Sequence, residues 1–221
     1  MIDGPFRRHL PYLTGGLIRF YQNLGAQGRA EGRHQWRLKP NHLTLAGFVA
    51  ALLAAGLIAL QWFWPACLIW WIGRIFDGTD GIYARETGQQ TDFGGYLDIL
   101  LDMASYSVVL VGFWIAFPAY GLSWLLISIL YTLCITSALA LGAFEKSHHL
   151  GQEDHRSLRL AHGLAEGGET GIFYTMVLIW PTRVGILVSV WIAILLFTVL
   201  ARTLLAYRLM GGQGHSESHG S

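Results

Sequence analysis

Charged side chains are scarce in this chain. They make up 13% of its 221 residues, against about 25% in ordinary soluble domains, while 53% of the residues are hydrophobic. That shortage excludes an ordinary soluble globular domain. The formal net charge of +1 brings no basic excess, and no nucleic-acid partner is expected. Cysteine is almost absent: Cys67 and Cys134 are the only two, and both lie in apolar runs. They offer neither metal-ligand spacing nor a disulfide framework, so they read as buried structural thiols. Proline is sparse too, and Pro65, Pro118 and Pro181 are expected in short turns between apolar runs, where a missing amide donor does no harm. Nothing at the N-terminus reads as a cleavable signal peptide.

What the chain does have is long apolar runs, each near the ~20 residues that cross a bilayer core. They cover Leu43 to Phe63, a run from Ala66 that turns polar in its second half, Gly94 to Phe117, Leu122 to Ala143, Gly163 to Trp180, and Val184 to Tyr207. The expected fold is therefore all-α and integral to the membrane, with six transmembrane helices and an N-terminal juxtamembrane amphipathic segment. Residues 1–40 form that basic segment, in which arginines alternate with Phe6, Tyr12, Phe20, Tyr21 and Trp36; it suits either an interfacial helix or a loosely ordered basic arm. Residues 41–208 form one six-helix domain, and residues 209–221 a disordered tail. Basic residues concentrate before the first run, in the second and fourth connections and at the C-terminal end, while Arg183 stands alone on the other side. By the positive-inside rule both termini face the cytoplasm.

One stretch resists this picture. "IFDGTDGIYARETGQQTDFGGYLDILLDMASY", Ile75 to Tyr106, places Asp77, Asp80, Asp98 and Asp102 between apolar runs. A charge at the centre of a spanning helix costs about 3 kcal/mol on insertion scales, so four of them need compensation. Asp77 and Asp80 are three apart, Asp98 and Asp102 four apart, so each pair shares one helix face. Facing carboxylate pairs repel unless protons or cations intervene, and oxygen-only ligands suit Mg²⁺, Mn²⁺ or Ca²⁺, with one ion or two. Glycines interspersed among the acids allow close helix contact or close approach of a ligand. Arg85, four residues after Gly81, adds a guanidinium suited to a phosphate. Acids, metal and arginine are the equipment for phosphoryl-type transfer.

The same residues spell a longer pattern: Asp77, two residues, Asp80-Gly81, two residues, Ala84-Arg85, eight residues, Gly94, three residues, Asp98, three residues, Asp102. With its eight positions intact, this stretch resembles the signature of the CDP-alcohol phosphotransferases, and "PNHLTLAG" at the first run adds to the likeness. The resemblance covers specific residues over roughly the first half of the chain and architecture beyond it. It implies attack of an acceptor hydroxyl on the phosphorus that carries the alcohol of a CDP-alcohol, with release of CMP. Under it Asp77, Asp80 and Asp98 hold Mg²⁺ or Mn²⁺, two ions being expected. Asp102 completes the metal site or takes the acceptor proton as the catalytic base. Gly81, Ala84 and Gly94 line the CDP pocket and Arg85 contacts the diphosphate. Asn41 and Thr44 are further CDP contacts, or else an ordinary helix start after Pro40. The family also implies a homodimer.

A donor with a soluble nucleotide and a lipid tail suits a site at the cytoplasmic end of a membrane helix, so CDP-diacylglycerol is the expected donor. The acceptor alcohol is not legible. Arg156 and Arg159 in the fourth connection could hold an acceptor phosphate, or be solvated loop residues. Glu166 and Glu169, at i and i+3, share a face at a helix start; they suit either an acceptor site or the helix dipole. Two alternatives compete: transfer of a small phospho-alcohol from a CDP-choline or CDP-ethanolamine type of donor, and a divalent-cation transporter. The apolar outer halves of the second and third runs weigh against the transporter, and the intact signature weighs against an inactive scaffold.

Overall fold

The computed structural model describes residues 39–86, 88–147 and 167–211. Among these every regular element is helical: α1 (Pro40–Ala59), α2 (Phe63–Glu86), α3 (Asp92–Ala116), α4 (Gly121–Ser147), α5 (Gly167–Ile179) and α6 (Val184–Gly211). Single 3₁₀ turns, Pro118–Tyr120 and Pro181–Arg183, precede α4 and α6. The amphipathic segment expected before residue 39 and the tail from residue 212 lie outside the described residues. α6 itself continues to Gly211, past the expected domain end at residue 208.

Most of these helices, α1 and α6 above all, are apolar around their whole circumference. In hydrocarbon a chain must satisfy its own amides and carbonyls, and a helix does so within one segment. Among the described residues, four helical segments are long and apolar enough to cross a membrane: Pro40–Ala59, Asp92–Ala116, Pro118–Phe144 and Pro181–Arg208. Large apolar side chains on them point outward, Leu122 with 81% and Leu200 with 67% of their surface exposed. Water would penalise such surface, whereas lipid does not. The protein is an integral membrane protein. α2 is also long, 24 residues, but carries Arg74, Asp77, Asp80 and Arg85, while α5 has only 13 residues.

The helix ends are set by local chemistry. α1 closes at Gln61, whose φ of 61° is the left-handed geometry of a helix C-cap, and Trp62 N–H reaches back to Leu57 O at 2.9 Å. Pro65 then falls inside the first turn of α2, not in the turn before it as its position between apolar runs suggested. A first-turn residue has no intrahelical acceptor for its N–H, so proline fits there at no cost. At the far end of α2, Gly88 takes φ 64° and Gln89 N–H returns to Ala84 O at 2.9 Å. Three residues on, Thr91 Oγ1 accepts the Gly94 N–H at 3.0 Å and caps α3.

The chain divides into two compact units. Of the described residues, the first holds 39–51 and Ile69–Ser105, that is, the start of α1, most of α2 and the first part of α3. Its helices meet through glycine. A Cβ on Gly73 would lie 3.0 Å from Ala50 Cβ and 3.1 Å from Gly47 O, so no larger side chain fits between α1 and α2 at this depth.

The second unit holds Leu52–Leu68 and the described residues from Tyr106 on. Aromatic rings make its core: Phe113 stacks on Trp124 at 5.3 Å and Phe173 on Trp191 at 4.8 Å. Buried polar atoms there are paired. Trp191 Nε1 donates to Tyr131 Oη, Tyr174 Oη to Tyr106 O, and Arg202 Nη1 to Cys134 O. Both cysteines are free, Cys134 buried and Cys67 half-buried.

Candidate active site and metal centre

The four aspartates belong to the first unit, Asp77 and Asp80 on α2, Asp98 and Asp102 on α3. Helical spacing turns each pair to one side, and the packing of the unit brings the two pairs together. One carboxylate oxygen from each of Asp77, Asp80 and Asp98 lies within 4.8 Å of the other two. Asp80 is buried and the other two are half-buried. Three hard oxygen donors this close repel one another, and the arrangement fits a divalent cation of the Mg²⁺ or Mn²⁺ class.

Asp102 lies beside that group of three without being part of it. Its Oδ1 accepts a hydrogen bond from Arg74 Nη1 at 2.7 Å, and the same nitrogen lies 3.3 Å from Asp77 Oδ2. The guanidinium is largely enclosed, its other side covered by the Trp70 ring at 4.8 Å. Arg74 was not among the residues singled out from the sequence. Its signal was nevertheless present: a cation inside an apolar run, three residues before Asp77 and hence on the same helix face.

α1 contributes through its first turn. Thr44 Oγ1 donates to Asp80 Oδ2, and also lies 3.3 Å from Pro40 O. The close contact of Gly47 and Gly73 permits this reach, since a Cβ on Gly47 would lie 3.2 Å from Gly73 O. Asn41 comes up against α3: a Cβ on Gly94 would lie 3.3 Å from Asn41 Oδ1 and 3.0 Å from Thr91 Oγ1. The Arg85 guanidinium lies along Gly81, where a Cβ would meet Nη1 at 3.4 Å.

Part of this set, without Arg74, Asp77 and Asp102, lines a cleft of about 210 Å³. Asn41, Thr44, Gly81, Ala84, Arg85 and Gly94 all line it, beside Asp80 and Asp98. Gln89, Gln90 and Thr91, which were not singled out from the sequence, also line it. Of the expected acceptor residues, Arg156, Arg159 and Glu166 lie outside the described residues, and Glu169 is half-buried in the first turn of α5, in the second unit.

Known proteins resemble this arrangement at several levels. The inner membrane protein YnjF of Escherichia coli is 36% identical over 149 residues, 65% of this chain and 71% of that protein. The archaetidylinositol phosphate synthase of Pyrococcus horikoshii is 40% identical over 75 residues, and the phosphatidylinositol phosphate synthase of Mycobacterium tuberculosis 37% over 94. Those matches span 34% and 40% of this chain, and only 40% and 42% of the two synthases. Crystal structures of the Mycobacterium tuberculosis synthase share the fold at 20% identity. The form with manganese and citrate superposes with a TM-score of 0.61 over 88% of each chain. The form with CDP-diacylglycerol bound gives 0.58 over 86% of this chain and 94% of that one. A family model matches residues 37–201, a span that holds the aspartates and the cleft together, and by that match the chain belongs to the CDP-alcohol phosphatidyltransferase family.

Proposed function

We propose that this CDP-alcohol phosphotransferase moves a phosphatidyl group from CDP-diacylglycerol to an acceptor hydroxyl, with CMP as the leaving group. The observation that carries the reading is the cleft, where all six residues expected to contact CDP converge beside Asp80 and Asp98. Asp77, Asp80 and Asp98 would hold the metal, Mg²⁺ or Mn²⁺. A divalent cation bound there supplies positive charge against the charge that develops on the departing CMP phosphate. Arg85 grips the diphosphate from the cleft wall. Gly81, Ala84 and Gly94 keep the wall clear for the nucleotide, and Asn41 and Thr44 bind it from α1.

Asp102 accepts the proton of the acceptor hydroxyl. The hydroxyl oxygen forms a bond to the phosphorus that carries diacylglycerol, the P–O bond to CMP breaks, and the electron pair leaves with CMP. Arg156, Arg159, Glu166 and Glu169 are proposed to serve the acceptor. With α2 and α5 counted, six helices span the bilayer of a bacterial inner membrane. Residues 41–208 are proposed to form one domain. The basic residues near both termini and Arg85 set the cleft on the cytoplasmic side. A homodimer is proposed by family analogy.

The test is CMP release by purified protein given CDP-diacylglycerol, Mn²⁺ or Mg²⁺, and a panel of acceptors. An inositol phosphate, glycerol 3-phosphate, serine, inositol and a lipid alcohol belong in it. Release stimulated by one acceptor supports the reading and identifies the alcohol. Release only from CDP-choline or CDP-ethanolamine favours the small-alcohol donor instead, and no release from any donor rejects both.

A further inference from the structure

We propose that Arg74 is a positioning residue that sorts the four carboxylates, holding Asp102 for proton transfer and keeping it out of the metal shell of Asp77, Asp80 and Asp98. The inference rests on the metal and base roles given above. Its basis is geometric. One nitrogen, Arg74 Nη1, is 2.7 Å from Asp102 Oδ1 and 3.3 Å from Asp77 Oδ2. Asp102 is the one aspartate of the four outside the group within 4.8 Å, and it is the one Arg74 holds most closely.

The guanidinium cannot easily move away. Its side chain is only 10% exposed, and the fully buried Trp70 ring lies over it at 4.8 Å. A buried arginine in a membrane protein is costly to keep unless it is paired, and here the carboxylates pair it. Its planar fork fixes the direction of a carboxylate more strictly than an ammonium would. Its charge beside Asp77 also opposes a divalent cation held by the same carboxylate. Two consequences of opposite sign follow. Loss of Arg74 frees Asp102 to join the metal and removes a repelling charge, so metal binding tightens. The same loss leaves the base unheld, so transfer slows. An arginine that merely propped the fold would, on removal, loosen metal binding and slow transfer together.

The experiment compares the full chain in detergent as wild type, Arg74→Met and Arg74→Lys, with Mn²⁺ binding followed by electron paramagnetic resonance and CMP release measured at saturating Mn²⁺. In Arg74→Met the Mn²⁺ Kd is expected to fall about threefold or more. Its kcat falls about tenfold or more while KM for CDP-diacylglycerol stays within about threefold. Arg74→Lys keeps the charge and restores near-wild-type Mn²⁺ affinity with part of kcat. Unchanged or weaker Mn²⁺ binding in Arg74→Met, or an unchanged kcat, overturns the proposal. Arg74→Gln carries the same signed expectation where the Met variant does not survive purification. Wild type that binds Mn²⁺ without releasing CMP rejects the transfer reaction alone, and the sign of the Mn²⁺ shift still decides whether Arg74 sorts the carboxylates. Wild type that binds no Mn²⁺ overturns both.

Discussion

Thr44 on α1 donates its hydroxyl to Asp80 Oδ2 on α2, and both residues are buried, each 5% exposed. A hydrogen bond to a charged group contributes about 1.5–3 kcal/mol, and leaving a buried carboxylate without it costs at least as much. Thr44→Val is therefore expected to lower kcat/KM for CMP release by about tenfold or more. Thr44→Ser, which keeps the hydroxyl, is expected to stay near wild type. Equal activity in the valine variant would show that Asp80 does not depend on this bond.

The aspartates on α3 should separate by phenotype. Asp98→Asn takes the negative charge from one of three carboxylates whose oxygens lie within 4.8 Å of one another, so Mn²⁺ binding and CMP release fall together. Asp102→Asn leaves those three oxygens in place. It is expected to retain Mn²⁺ while kcat falls by about 10²–10⁴-fold, the usual weight of a positioned base. Mn²⁺ titration beside a CMP assay distinguishes the two, and loss of Mn²⁺ in both variants would make Asp102 a metal ligand.

Gly73 and Gly78 make a matched pair on α2. Gly73→Val would drive a branched side chain against Ala50 Cβ at 3.0 Å and the Gly47 carbonyl at 3.1 Å. Overpacking of this kind costs about 1–3 kcal/mol. A Cβ on Gly78 meets nothing within 4 Å. Gly78→Ala is thus expected to gain about 0.5–1 kcal/mol of helix stability. Thermal scans of the detergent-solubilised protein should show Tm falling in the first variant and holding or rising in the second.

The link between α2 and α3 depends on two small residues. Gly88 occupies φ 64°, and alanine there costs about 1–2 kcal/mol. Thr91→Ala removes the cap on Gly94 N–H and costs about 1 kcal/mol. Both should raise amide hydrogen exchange at the start of α3, and Thr91→Ser should not. Protection unchanged in Thr91→Ala would mean that the cap contributes nothing.

Much of this protein is legible along the chain because its signals are local. The apolar runs at Leu43–Phe63 and Val184–Tyr207 correspond to α1 at Pro40–Ala59 and α6 at Val184–Gly211, since a segment without water must close its own hydrogen bonds. Their ends were less legible. Hydropathy does not register that Gln61 adopts a left-handed cap, so α1 stops earlier and α2 takes in Pro65. Asp77, Asp80, Asp98 and Asp102 announced themselves by spacing, and by the cost of charge between apolar runs.

The helices, the apolar surface and the pairing of acids at i+3 and i+4 follow from the order of residues alone, because these depend on neighbours within one or two turns. How the acids are shared depends instead on contacts between helices distant in the chain. Thr44 meets Asp80 across 36 residues, and Arg74 meets Asp102 across 28. Neither meeting has a period in the sequence. Both depend on how closely the helices of this unit approach, and Gly47 and Gly73 set that distance for α1 and α2 by leaving backbone where side chains would otherwise stand.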